Sequence, residues 1–174
     1  MRGKVLLLRR GTLLLILTAL VAAGIFMAVG GPSFVSASAA KRQLPIYSVE
    51  REEKVCAISF DAAWGNEDTQ ALIDILGKYN VKATFFVVGC QTVKDPDIVR
   101  RIAAEGHQVG NHSYDHPQMD SLTCAQALAD LQKNEDLLCR LLGKGDYWVR
   151  PPYGLCTDRE AAALSVPLVN WSVD

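Results

Sequence analysis

An α/β domain built from parallel strands and covering helices is predicted for Val55 to Asp174, and three observations predict it. Short apolar runs rich in β-branched and aromatic residues alternate with amphipathic stretches at helical spacing. Pro, Gly and Asn punctuate the boundaries between them. The polar residues that stand out, Asp61, His112, His116, Arg150 and Asp174, all follow a predicted strand. In both architectures that this alternation allows, a doubly wound sheet or a (β/α) barrel, chemistry collects at the carboxyl ends of the strands.

The elements run in order. VCAISF (55–60) is a strand, and EDTQALIDILGKYN (67–80) is a helix with Leu72, Ile73, Ile75, Leu76 and Tyr79 at helical spacing. VKATFFVVG (81–89) is the second strand, and DPDIVRRIAAEG (95–106) has Pro96 at a helix start and Gly106 at its end. HQVGNHS opens a third strand, and SLTCAQALADLQKNEDLLCRLLGKG is a long helix stopped by glycine. YWVRPP, DREAAALS and PLVNWSVD supply a fourth strand, a fourth helix and a fifth strand. Residues 41–54, KRQLPIYSVEREEK, read as a short linker or an edge strand.

The N-terminus carries Arg2, Lys4, Arg9 and Arg10 before an uncharged apolar run from Gly11 to Gly31. A run of about 20 residues suits a membrane-spanning helix. SASAA at 36–40 also offers the small residues that signal peptidase reads, so residues 1–40 are either a cleaved signal peptide or a signal anchor. In both cases the basic flank stays inside and the domain lies outside the cytoplasmic membrane. The net charge of -1 gives no reason to expect a nucleic-acid partner. Five cysteines without a CxxC pair argue against a thiolate zinc site and leave small buried thiols, with or without one bridge.

His112 and His116 are four residues apart, so one helical turn would present both imidazoles on one face. Two neutral imidazoles, one carboxylate and an open position suit a catalytic zinc or similar divalent ion. His107, ahead of the strand, reads as structural. Asp61 reads as a general base or metal ligand, because Asn66, Glu67 and Asp68 already offer capping groups to the next helix. Arg150 keeps its charge and needs a partner if buried, and Asp61 is the natural one. Pro151 and Pro152 stiffen that loop and leave the backbone N–H of Tyr153 able to donate to an oxyanion.

At these residues the sequence resembles the polysaccharide deacetylases, carbohydrate esterase family 4, over Val55 to Asp174. SFDAAWG, NHSYDH, RPPY and WSVD resemble four of the family's motifs in order, and ISFDAAWGNEDT resembles in particular the sporulation-associated deacetylases. The resemblance implies a deformed (β/α) barrel that uses a divalent metal such as Zn2+ to remove acetyl groups from N-acetylated amino sugars, with peptidoglycan as the expected glycan. It also implies roles: Asp61 as base, His112 and His116 as metal ligands, Arg150 orienting Asp61, and Tyr153 as oxyanion donor. Trp171 and Pro152 would lie against the substrate, and Asp174 would support the arginine.

Two departures stand out. The family's second aspartate, a metal ligand, is here Ala62, and no histidine follows His116 to protonate the leaving group. The sequence also stops before the strands that would close a barrel, which predicts an incomplete barrel with an exposed sheet edge. Two competing readings follow: a catalytically silent glycan-binding member of the family at the membrane surface, and an unrelated barrel-type metal hydrolase for which RPPY and WSVD would be coincidental.

Overall fold

The computed structural model describes residues 11–12, 14–15, 17–21, 44–63 and 67–173. Two compact units divide between residues 40 and 41. In the first, residues 11–12, 14–15 and 17–21 are helical and exposed. Among the described residues no helix is long and apolar enough to cross a membrane. Most of the leader, SASAA included, lies outside the described residues, and so does Asp174.

The second unit centres on a parallel sheet in the order β1-β2-β3, with β1 at Ser59–Ala62, β2 at Thr84–Val87 and β3 at Gln108–Asn111. The helices are α1 (Thr69–Lys78), α2 (Gly89–Lys94), α3 (Pro96–Ala104), α4 (Cys124–Leu142) and α5 (Asp158–Ala163). Helix α2 was not expected from the sequence. It is a short element on GCQTVK, where a helix of fewer than two turns carries too little periodicity to be told from the end of a strand.

The five expected strands are realised as three, followed by single-residue pairings. Parallel bridges join Asn111 to Val149, Val149 to Leu168, and Val169 to Ile46. Pro151 and Pro152 follow Val149 after the single residue Arg150, and Pro167 precedes Leu168. None of these can donate to a ladder, so the pairing is cut to one or two residues on each segment. Ile46, in the stretch read as linker or edge strand, donates to Leu168 O at 2.8 Å and accepts from Asn170 N at 2.9 Å. The sheet is parallel with covering helices and is not closed.

Alternation along the strands sorts side chains onto two faces. Phe60, Ala62, Phe85, Val87 and Val109 pack with Ile73 and Leu76 of α1, Val99 and Ile102 of α3, and Leu138 of α4. Burial of each such side chain contributes about 1.5–3 kcal/mol before entropy is counted. Ser59, Asp61, Phe86 and Gly110 fall on the other face. Gly110 has a packing reason to lack a side chain, because a Cβ there would stand 2.5 Å from Phe86 Cδ1 and 3.0 Å from Trp148 O.

Helix starts follow capping chemistry. Asp95 accepts from Ile98 N with Pro96 just inside α3, and Thr123 with Gln126, then Thr157 with Glu160, form capping boxes on α4 and α5. For α1 the N-cap is Asp68, with no side-chain cap hydrogen bond.

His107 is structural, as its position suggested. The ring is buried, and its Nδ1 accepts from Ala83 N at 3.2 Å, tying the start of β2 to β3. Burial pushes its pKa below the ordinary 6.5. An unfolded chain therefore takes up a proton that the folded one resists, and this contribution to stability is complete above about pH 6.5 and lost as pH falls below it. Urea midpoints should drop between pH 7.5 and pH 5, and His107→Asn, which keeps an acceptor at the Nδ1 position, should flatten that dependence. A midpoint unchanged or higher at pH 5 would contradict this account.

Candidate active site

The sheet's carboxyl rim gathers the residues singled out in the sequence. Asp61 lies on β1, His112 immediately follows β3, and Arg150 immediately follows the bridging Val149. Arg150 Nη1 donates to Asp61 Oδ1 at 2.7 Å, Nη2 to Ser59 Oγ at 2.8 Å, and Nε to Val169 O at 3.2 Å. Its guanidinium lies 4.0 Å from the centroid of the Phe86 ring and 5.7 Å from that of Trp171. The arginine side chain is 4% exposed and the aspartate 31%. The cation is thus held inside the domain while its carboxylate partner reaches the rim.

Among the described residues the Asp61 carboxylate is hydrogen-bonded through Oδ1 alone. Its Oδ2 stands 3.7 Å from His112 Nε2. His112 Nδ1 lies 2.7 Å from Arg150 O, a carbonyl that can only accept, so Nδ1 carries the proton and the Nε2 lone pair faces Asp61. Burial pushes the pKa of His112 below the ordinary value, with Asp61 opposing part of that shift, and burial lowers His116 as well. Both imidazoles are neutral at neutral pH, the state in which they can ligate a metal. Their centroids are 5.0 Å apart, and the Tyr153 ring stands 4.9 Å from that of His116.

The imidazoles meet for a different reason from the one the spacing suggested. Residues 112–116 are a loop, not a helical turn, with Ser113 at φ 68° and His116 at φ 54°. Left-handed backbone at both positions cannot sit in a right-handed helix.

Tyr153 has φ 57° and ψ 11°, inside a short 3-10 turn over Pro152–Gly154, and Pro152 is buried. Trp171 packs on Gly154, where a Cβ would stand 2.9 Å from the indole. Asn170 Nδ2 donates to Gly154 O at 3.0 Å, joining the RPPY turn to the segment that carries Trp171. The role expected for Asp174 lies outside the described residues.

Ala62 packs with Phe60 against the apolar layer, on the face opposite Asp61. Among the described residues no group of three or more His, Cys, Asp or Glu side chains forms a metal cage. The donor chemistry that is present is two neutral imidazoles side by side, one with a fixed Nε2 lone pair, and among the described residues no third ligand beside them, which suits an open divalent site and not a closed structural one. All five cysteines are free thiols, so no bridge enters.

Sequence reasoning missed several supporting residues. Ser59 and Phe86 hold the guanidinium, and Asn111, Asp130 and Asn134 hold the histidine loop. One signal was available: Asn134 interrupts the buried stripe of α4 formed by Ala127, Leu131 and Leu138.

Sheet, rim and turn together define a (β/α) domain whose polar side chains gather at the carboxyl rim of a parallel sheet. The chain belongs to the polysaccharide deacetylase family, whose model matches residues 48–166. Over 147 residues it is 35% identical to the peptidoglycan-N-acetylglucosamine deacetylase PgdA of Listeria monocytogenes, spanning 80% of this chain and 31% of that protein. The chain thus covers about a third of that relative's length. Among solved structures it resembles the peptidoglycan deacetylase PdaC of Bacillus subtilis, with a TM-score of 0.66 and 34% identity over 72% of this chain and 62% of that one. A carbohydrate esterase family 4 pseudoenzyme from Bacillus anthracis superposes with a TM-score of 0.70 and 30% identity, over 75% and 48% of the two chains.

Proposed function

We propose that this domain removes N-acetyl groups from the amino sugars of peptidoglycan on the outer side of the cytoplasmic membrane, with residues 1–40 as export signal or anchor and residues 55–174 as the deacetylase domain. The observation that carries the reading is the division of Asp61, whose Oδ1 is fixed by Arg150 while Oδ2 faces the His112 Nε2 lone pair. A carboxylate held by one oxygen with the other directed at the rim is placed to take a proton from water there.

His112 and His116 would hold the divalent ion, for which Zn2+ suits the imidazole donors. When bound, that ion supplies polarisation of the acetyl carbonyl. The chain's own groups supply the base, its orientation and the oxyanion donor, and the proton that Asp61 takes from water is the one that must reach the leaving amine nitrogen. Asp61 acts as base, Arg150 fixes its direction, and the Tyr153 backbone N–H is the donor for the oxyanion. Trp171 and buried Pro152 form the apolar wall for the acetyl methyl. Family membership and the peptidoglycan deacetylases among the relatives support the substrate class.

A second reading is a family member that binds glycan without turning it over. Ala62 favours it, since its methyl faces away from the imidazoles, and so does the family's inclusion of a pseudoenzyme of similar structure. Acetate release from N-acetylated peptidoglycan separates the two, because only an enzyme liberates acetate. Zinc content by elemental analysis tests the ligands: near-stoichiometric metal is expected in the wild type and a large loss in His112→Ala. Equal content in both would remove the metal assignment.

A further inference from the structure

The loop that carries both imidazoles, residues 112–116, is hydrogen-bonded at every one of its amides. His112 N donates to Val87 O at 3.1 Å, and Ser113 N to Asn111 Oδ1 at 3.0 Å. Tyr114 N donates to Asp130 Oδ1 at 2.7 Å, Asp115 N to Asp130 Oδ2 at 3.2 Å, and His116 N to Ser113 Oγ at 3.0 Å. On the other side of the loop, the carbonyls of Ser113 and Tyr114 accept from Gly89 N at 3.0 Å and Cys90 N at 2.9 Å. Gly89 is required for that approach, since a Cβ there would stand 2.4 Å from Tyr114 Cδ2.

Asp130 is central to this arrangement because a single side chain spends both oxygens on two successive amides, a bidentate grip that no neutral residue reproduces. It projects from α4, the longest helix described, whose Asn134 also donates to Asn111 Oδ1 and to Val87 O, each at 2.9 Å. The left-handed residues Ser113 and His116 carry backbone strain that persists only where surrounding bonds enforce it. The grip on Tyr114 and Asp115 lies between them.

We infer that Asp130 is a positioning residue for metal binding, fixing the His116 imidazole relative to His112 by gripping two of the three amides that lie between them. The inference rests on the reading of His112 and His116 as ligands. With Ala62 turned away, the two imidazoles carry more of the binding than in a three-ligand site, so their relative placement sets affinity directly.

The test uses the full chain with Zn2+ and Co2+ as probes. Asp130→Asn keeps the shape of the side chain but presents an NH2 group to one of the two amides. We expect it to bind Zn2+ about tenfold to a hundredfold more weakly, the loss typical of groups that orient ligands, and to alter the visible absorption of the Co2+ form. Circular dichroism confirms that the variant is folded. Should Asp130→Asn not fold, Asp130→Glu carries the test, since it keeps charge and both acceptors but lengthens the reach. A folded Asp130 variant that loses only thermal stability, with Zn2+ affinity and Co2+ spectrum as in the wild type, overturns the inference. Because His112→Ala is measured in parallel, the two failures are distinct. Loss of metal in His112→Ala but not in the Asp130 variants sinks the positioning role alone, whereas retention in His112→Ala sinks the ligand assignment and the inference with it.

Discussion

Asp61→Asn is expected to lower the rate of acetate release from N-acetylated peptidoglycan by about a hundredfold to ten-thousandfold, the usual contribution of a positioned base. The substitution is nearly isosteric, and its amide oxygen can still accept from Arg150 Nη1, so the fold and the arginine's place should survive. What disappears is the second carboxylate oxygen, the one 3.7 Å from His112 Nε2, because an amide nitrogen cannot take a proton from water. Measuring zinc content on the same variant separates two roles of that oxygen. Loss of rate with metal retained assigns Asp61 as base, and loss of both assigns it to the metal. A variant within about threefold of wild-type rate would remove Asp61 from the chemistry altogether, since even the weakest positioned bases contribute more.

Much of this site was legible in the sequence because strand ends are marked locally. A short apolar run followed at once by Asp61, His112 or Arg150 needs no tertiary knowledge to be read as a strand delivering a polar group to a rim. The partnership of Asp61 and Arg150 followed from the cost of burying a guanidinium alone, and the structure shows that pair at 2.7 Å. What was not legible depends on contacts remote in sequence or on backbone signs. The left-handed φ of Ser113 and His116 carries no signature in side-chain pattern, so HxxxH reads as a helical turn. Ser59 reaches Arg150 across 91 residues, and Asp130 grips an amide 16 residues away. The fourth and fifth strands were overcounted because YWV and PLV have strand composition, while the prolines beside them limit what the backbone can donate.

Arg150→Lys should cost both stability and rate, although it preserves charge. The guanidinium serves Asp61, Ser59 and Val169 O through three different nitrogens and sits over the ring of Phe86, which Gly110 lets approach the sheet. An ammonium is a single point with no planar face, so it can keep the Asp61 bond only by giving up the others. Two part-buried acceptors, Ser59 Oγ and Val169 O, then lose their partner, at about 0.5–1.5 kcal/mol for each hydrogen bond. Asp61 loses the second anchor that Ser59 gives its partner, and a carboxylate displaced by about 1 Å from its productive position can cost about a hundredfold in rate. Denaturant unfolding and acetate release on the same preparation check the two effects together. If the lysine variant matched the wild type in rate, the carboxylate would owe its placement to His112 and the strand alone, and the arginine would be a packing residue that happens to be charged.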